Sequence, residues 1–372
     1  MPSSTELAEE VRRHGFELIG VAPVEPIGSG WFAPHVRRFN EWLERGDHAD
    51  MEWLRVRARE RVVPETLLPN VKTAIVLWMQ HRTETPARPE GQVGRVAAYA
   101  WGRDYHNVLR KSLRKLDRWL FAKHPDLRRY VSVDTGAILE RAFAERAGVG
   151  WIGRSTMLIH PKLGTFGSLA VIFTNQDFES SSEPHPFRCG TCYDCVEQCP
   201  TGALSSTGLD ARLCISYWTI EHRGLIPRHV RPMLEDWLFG CDICQDVCPW
   251  NHRAPRAESE LWRPHADRAW PDLEDWIRTP SADLDSRLLG SPLRRAKGQG
   301  LRRNAMIVAA NMEVSSLIPA LIDVLVNDDD PVLRATALWA AHRLGEQSAL
   351  QIGLQDSEPM VRSEAEALTA AL

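Results

Sequence analysis

The sequence predicts a mixed α/β (α+β) N-terminal domain over residues 1–180, a ferredoxin-like domain over 181–260, and a C-terminal domain of α-helical HEAT-like repeats over 261–372. Three observations predict it. Helical and strand patterns alternate before residue 180. All eight cysteines fall between 189 and 248. A Pro-initiated helical motif recurs 28 residues apart near the C-terminus.

Ser3 with Glu6 resembles a capping box, and Leu7 and Val11 follow one turn apart. Gly15 closes that helix, and residues 16–22 read as a strand. Further strands are expected over 73–79, 130–133 and 169–174, which are rich in Val, Ile and aromatic residues. Leu109, Leu113, Leu116 and Leu120 mark the apolar stripe of a helix whose other faces carry Arg and Lys. A second helix is expected over 138–147, ahead of Gly148. The polar segment 177–186 reads as a linker. Near the C-terminus Asp330-Pro331-Val332-Leu333-Arg334 returns as Glu358-Pro359-Met360-Val361-Arg362, each starting a helix of a stacked pair.

The 372 residues suffice for two or three domains. A formal net charge of −4 gives no global attraction to nucleic acid, so such a partner needs a local basic patch. The N-terminal residues lack a basic and apolar leader, and no apolar run reaches 18 residues. A cytoplasmic protein without a membrane span is expected, and there clustered cysteines favour metal over disulfides.

Cys189-x2-Cys192-x2-Cys195-x3-Cys199-Pro200 has bacterial ferredoxin spacing. Cys241-x2-Cys244-x3-Cys248-Pro249 supplies a second half, with Cys214 as its displaced first member. In this spacing the cysteine before each proline reaches across to the other cluster. That assigns Cys189, Cys192, Cys195 and Cys248 to one [4Fe–4S] cluster. Cys199, Cys214, Cys241 and Cys244 go to the other. Zinc knuckles and disulfides are the competing readings, but zinc needs neither the third cysteine nor the Cys-Pro ending.

Around these cysteines run Cys199-Pro200-Thr201-Gly202-Ala203, Cys214-Ile215-Ser216-Tyr217 and Cys248-Pro249-Trp250-Asn251. Upstream lie Trp101-Gly102-Arg103-Asp104-Tyr105-His106, Val133-Asp134-Thr135-Gly136 and Gly150-Trp151-Ile152-Gly153-Arg154-Ser155. Over nearly its whole length the chain resembles the epoxyqueuosine reductases, which are also similar to corrinoid reductive dehalogenases. The resemblance implies reduction of epoxyqueuosine to queuosine at the wobble position of tRNA. It implies cobalamin in the N-terminal domain beside the two clusters, bound base-off and without a histidine ligand. Asp104-Tyr105-His106 indeed lacks the glycine of an Asp-x-His-x-x-Gly motif. An external low-potential electron donor and a monomer are expected. Ala170 and Val171 stand where the family has glycine and glutamate, and Arg154 where lysine is usual.

Removing an epoxide oxygen needs two electrons and two protons, and the departing oxygen needs an acid. Asp134, at the end of the 130–133 strand and ahead of a helix, is the candidate donor. A helix cap is the competing reading. Tyr105, His106 and Arg141 are candidate substrate contacts. A structural histidine and a pairing of Arg141 with Glu140 or Glu145 are the alternatives. The resemblance points to Arg57, Asp134, Gly153, Arg154, Ser155, Ser216 and Asp242 as corrinoid contacts, with a solvated helix face the other reading of Arg57. For tRNA phosphates the basic run offers Arg294, Arg295, Lys297, Arg302, Arg303 and Asn304. Two other functions stay open: a corrinoid reductase acting on a small molecule, and a non-enzymatic electron carrier.

Overall fold

Ser3 caps the first helix (α1, Ser4–Arg13): its Oγ accepts from the Glu6 N–H at 3.1 Å. The reciprocal half of the capping box is not made. Glu6 reaches Lys123 at 2.7 Å instead. Leu7 and Val11 are buried, as their one-turn spacing requires. The computed structural model describes residues 3–25, 30–180, 183–258 and 260–370. Ser181 and Ser182 of the expected linker lie outside the described residues.

The four expected strands form one sheet: β1 (Leu18–Pro23), β2 (Thr73–Gln80), β3 (Arg129–Ser132) and β4 (Gly167–Thr174). Their order is β1-β2-β4-β3 and every pairing is antiparallel. Asp134 therefore follows an edge strand of an antiparallel sheet. β2 is buried along its whole length. Its alternate residues serve two cores. Ile75, Leu77 and Met79 join α1 and helix α3 (Tyr105–Lys123) through Leu109, Leu113, Leu116 and Leu120. Ala74, Val76 and Trp78 join helix α4 (Glu140–Arg146) through Ala142, Phe143 and Ala144. Helix α2 spans Ala33–Glu44. At Gly20 of β1, a Cβ would sit 2.5 Å from the Ala147 carbonyl, so a glycine lets the α4 end lie on the strand. Ala170 and Val171, the departures from the family pattern, are fully buried strand residues of β4.

The chain divides into two compact units, each built from separate stretches. The first contains residues 1–84, 104–212 and 243–262, and the second 85–103, 213–242 and 263–372. This differs from the three consecutive segments expected, because residues 85–103 and 213–242 pack with the C-terminal helices.

In the second unit, Arg95–Val96 pairs in parallel with Trp237–Phe239. Helix α5 (Lys297–Asn311) is buried on nearly all sides, and α6 (Ile318–Asn327), α7 (Pro331–Arg343), α8 (Ser348–Leu354) and α9 (Pro359–Thr369) follow. The two recurring motifs start α7 and α9. Asp330 caps α7 by accepting from the Val332 N–H at 2.8 Å. Arg334 donates to the carbonyls of Asp328 and Asp329, and Arg362 to those of Asp356 and Ser357. The same arginine thus ties the same loop in both units of the repeat. Arg302–Asp328 and Arg334–Asp356, at 2.6 and 2.8 Å, join consecutive units as ion pairs.

Candidate active site

Asp134 follows β3 with a left-handed backbone, φ +55°, which a non-glycine residue adopts only when its surroundings hold it. Three groups do so. The half-buried Glu140 side chain accepts from the Asp134 N–H at 2.9 Å. The Tyr105 hydroxyl donates to Asp134 Oδ2 at 2.7 Å, and His106 Nε2 lies 3.0 Å from the same oxygen. His106 Nδ1 is 2.8 Å from Asp104 Oδ1. Asp104 also caps α3 by accepting from the His106 N–H. Four residues thus form one hydrogen-bonded row, Asp104–His106–Asp134–Tyr105, with the Tyr105 and His106 rings stacked at 4.0 Å. Asp134 is not the α4 cap, since that helix starts at Glu140 without a side-chain cap.

Burial disfavours a charged His106, but the bonds to Asp104 and Asp134 outweigh it and push its pKa up to about 9. The ring is therefore an imidazolium at neutral pH. Burial, then the Asp134 charge, pushes the Glu140 carboxyl up to about 8. The Asp134 side chain is 55 % exposed. Arg61, only 7 % exposed, donates to the Gly136 carbonyl at 3.4 Å, and its Nε–H has no partner. It is Arg61, rather than Arg57, that reaches this loop. Arg57 is half-exposed and faces Glu60 at 3.7 Å.

Arg141 pairs with neither Glu140 nor Glu145. Its guanidinium donates to the Thr156 carbonyl, which fastens α4 to the 153–157 turn. That turn carries Gly153, Arg154 and buried Ser155. A Cβ on Gly153 would meet the Ile159 side chain at 2.4 Å and Cys189 Sγ at 3.3 Å. Arg154 donates to the Cys192 and Gly190 carbonyls at 3.0 and 2.7 Å and stacks 4.0 Å over Tyr193. It holds the cysteine loop. Gly153 and Arg154 also line a cavity of about 950 Å³ with Trp31, Arg38 and Phe187.

Cys189, Cys192, Cys195 and Cys248 lie together in the first unit. Burial and the neighbouring Cys189, Cys248 and Cys192 push the Cys195 thiol up to about 11. Four thiols at this spacing suit a cubane. Trp151, fully buried, packs edge-on to Trp250 at 4.9 Å beside Cys189 and Cys248. Asn251, of the Cys-Pro-Trp-Asn ending, accepts from the Thr165 N–H and donates to the Gln245 carbonyl. Cys199 and Cys244 belong to the first unit, and Cys214 and Cys241 to the second.

Within the second unit, Ser216 precedes a π-helical turn, Tyr217–Glu221. Asp242 is buried and accepts from the Ala98 N–H at 2.6 Å. The basic run does not present one phosphate-binding stripe. Arg294 and Lys297 are exposed, and Arg295 pairs with Glu221 at 2.6 Å. Arg302, Arg303 and Asn304 are buried at 6, 1 and 0 % exposure, which removes them as surface contacts. Arg303 donates to the carbonyls of Trp218, His222 and Gly224. Asn304 donates to those of Thr219 and Leu238. They clamp the turn after Cys214 and the strand before Cys241. Helical periodicity hid this, because α5 is buried on every side and sequence cannot tell a buried arginine from an exposed one.

The cysteine constellation and the acid network define the class: an iron–sulfur oxidoreductase. A family model for a 4Fe-4S double cluster binding domain matches residues 188–251, and one described as Epoxyqueuosine reductase QueG matches 61–135. The epoxyqueuosine reductase of Synechocystis sp. is 39 % identical over 290 residues, covering 77 % of this chain and 98 % of that one. The crystal structure of an epoxyqueuosine reductase with an epoxyqueuosine-modified tRNA-Tyr stem loop superposes with a TM-score of 0.89, at 28 % identity, over 97 and 96 % of the two chains. A Bacillus subtilis epoxyqueuosine reductase, described with its catalytic loop swung out of the active site, gives 0.88 at 27 % identity over the same shares. This chain belongs to the epoxyqueuosine reductase family.

Proposed function

We propose that this chain reduces epoxyqueuosine to queuosine at the wobble position of tRNA, with Asp134 delivering the proton that the epoxide oxygen takes up. The observation that carries the reading is the row Asp104–His106–Asp134–Tyr105 in a family member with a double-cluster motif. Reduction of the epoxide to the alkene consumes two electrons and two protons and releases water. Tyr105 and His106 hold the Asp134 carboxylate at one oxygen, and the His106 imidazolium supplies the proton that Asp134 passes on. The 153–157 turn, fixed by Arg141 and Arg154, orients the neighbouring wall. The cluster ligands follow the cysteine spacing: Cys189, Cys192, Cys195 and Cys248 for one, Cys199, Cys214, Cys241 and Cys244 for the other.

Cobalamin, the cofactor the resemblance implies, would supply a redox-active cobalt centre able to take up two electrons. The residues suit such a group. The buried, unpartnered Arg61 Nε–H could donate to an amide of the corrin rim. Asp134 and the Gly153–Ser155 turn would hold it. The C-terminal helices are read as HEAT-like repeats. The electron donor is external and of low potential, and the enzyme acts as a monomer in the cytoplasm.

The test uses anaerobically reconstituted protein, cobalamin, dithionite and tRNA carrying epoxyqueuosine, with nucleosides analysed by mass spectrometry. Wild-type protein should form queuosine. Asp134→Asn should form at least a hundredfold less, with unchanged iron content. Undiminished turnover by that variant would remove Asp134 from the chemistry, and no queuosine from the wild type would refute the reaction.

A further inference from the structure

Helix α3 carries six Lys or Arg against one Asp. Its apolar stripe faces the core, so the cations emerge on one side at helical spacing: Arg110, Lys111, Arg114, Lys115 and Arg118 are all exposed. Lys123 pairs with Glu6, and Asp117 is taken by Arg129. Among the described residues no carboxylate pairs with Lys111, Arg114, Lys115 or Arg118. A solvated helix usually offsets such charges with acids at i±4, and this one does not. The chain as a whole is acidic at −4, so the patch is local.

The patch also has a direction. Arg110 donates to Thr135 Oγ1 at 3.1 Å, the residue after Asp134. Arg110 and Arg114 line a cleft of about 420 Å³ with Ser132, Thr135 and Gly136. The face begins at Tyr105 and His106 and runs about 20 Å to Arg118 at 1.5 Å per residue. A nucleotide drawn to Asp134 brings its flanking phosphates, and these cations lie beside that loop.

We infer that the exposed face of α3, from Arg110 to Arg118, is a docking surface for the phosphate backbone of the substrate RNA beside the reacting nucleotide. This rests on the proposed reaction and takes over the phosphate role of Arg302 and Arg303. Nothing in the face reads bases, so it adds affinity without sequence preference. An acidic electron-donor protein would be attracted by the same cations. Adjacency to Asp134, where RNA and not donor must arrive, favours RNA.

The experiment compares wild type with Lys111→Glu/Arg114→Glu/Lys115→Glu and the neutral Gln triple, using a fluorescein-labelled anticodon stem loop and anisotropy across a salt series. Each lost phosphate contact lowers the slope of log K against log salt by about 0.7–0.9. The Gln triple should lose about two units of slope and bind at least tenfold more weakly at low salt, with unchanged iron content and melting. With dithionite and epoxyqueuosine tRNA, kcat/KM should fall while kcat holds. An unchanged slope in both triples would overturn the inference. So would a rate loss seen only when a flavodoxin-type protein replaces dithionite, which would assign the face to the donor. Absence of queuosine with the wild type would instead sink the reaction assignment, and the RNA with it.

Discussion

His106 holds a proton because two carboxylates share its ring nitrogens, Asp104 at 2.8 Å and Asp134 at 3.0 Å. Its pKa of about 9 lies above the 6.5 of a free histidine, so its bonds stabilise the fold fully below pH 6.5 and are lost as pH rises through about 9. If the imidazolium resupplies Asp134, the rate at saturating tRNA falls on the alkaline side with an apparent pKa near 9. His106→Gln keeps a hydrogen bond to Asp134 but cannot carry the proton. It should slow turnover about tenfold to a hundredfold and abolish the limb near 9, while iron content stays the same. A limb that persists in His106→Gln would assign it to another group. Asp134, expected as the acid, and Tyr105 and His106, expected as substrate contacts, meet in one hydrogen-bonded row. Asp104 was passed over as part of a failed metal-ligand motif, yet it fixes the ring. Glu140 and Arg61 carry no local signature: their roles exist only because the fold brings them to one backbone turn.

Strands and helices of the first unit were readable from alternation and capping, since a two-residue period and a Ser at the N-cap act locally. Strand direction was not, because pairing partners lie far apart in sequence. The same limit misplaced Arg302, Arg303 and Asn304. A run of basic residues with no acid looks like a phosphate stripe until packing is known. Arg303 is buried, and burial pushes its pKa down to about 9, so it still enters as a cation at neutral pH. It satisfies three carbonyls of the turn after Cys214. Arg303→Met fills the space but removes the three hydrogen bonds to those oxygens, at a cost of about 3 kcal/mol. The variant should melt lower and retain less iron after anaerobic reconstitution. Arg294→Gln/Lys297→Gln, on exposed positions of the same run, should change neither. Full iron content and a wild-type melt in Arg303→Met would show that the clamp is dispensable.

The chain passes back and forth between its two units, and this decides what a fragment can do. Cutting at residue 180, where sequence composition suggested a boundary, leaves the sheet, Asp134 and α3 intact in primary structure. It removes residues 243–262, which the first unit needs. Trp262 lies at 5 % exposure in the core shared by β2 and α3. Asn251 closes the Gly164–Thr165 turn just ahead of β4, accepting from the Thr165 N–H at 2.8 Å. Burial of one tryptophan contributes about 3–5 kcal/mol, a large part of the stability of an ordinary domain. Composition changes mark linkers, whereas these returns are set by long-range packing, so the boundary was misread for a physical reason. The 1–180 fragment should therefore unfold without a cooperative transition and bind a hydrophobic dye, in contrast to the full chain. A sharp sigmoidal melt of the fragment, followed by near-UV circular dichroism, would show that residues 243–262 are dispensable to the first unit.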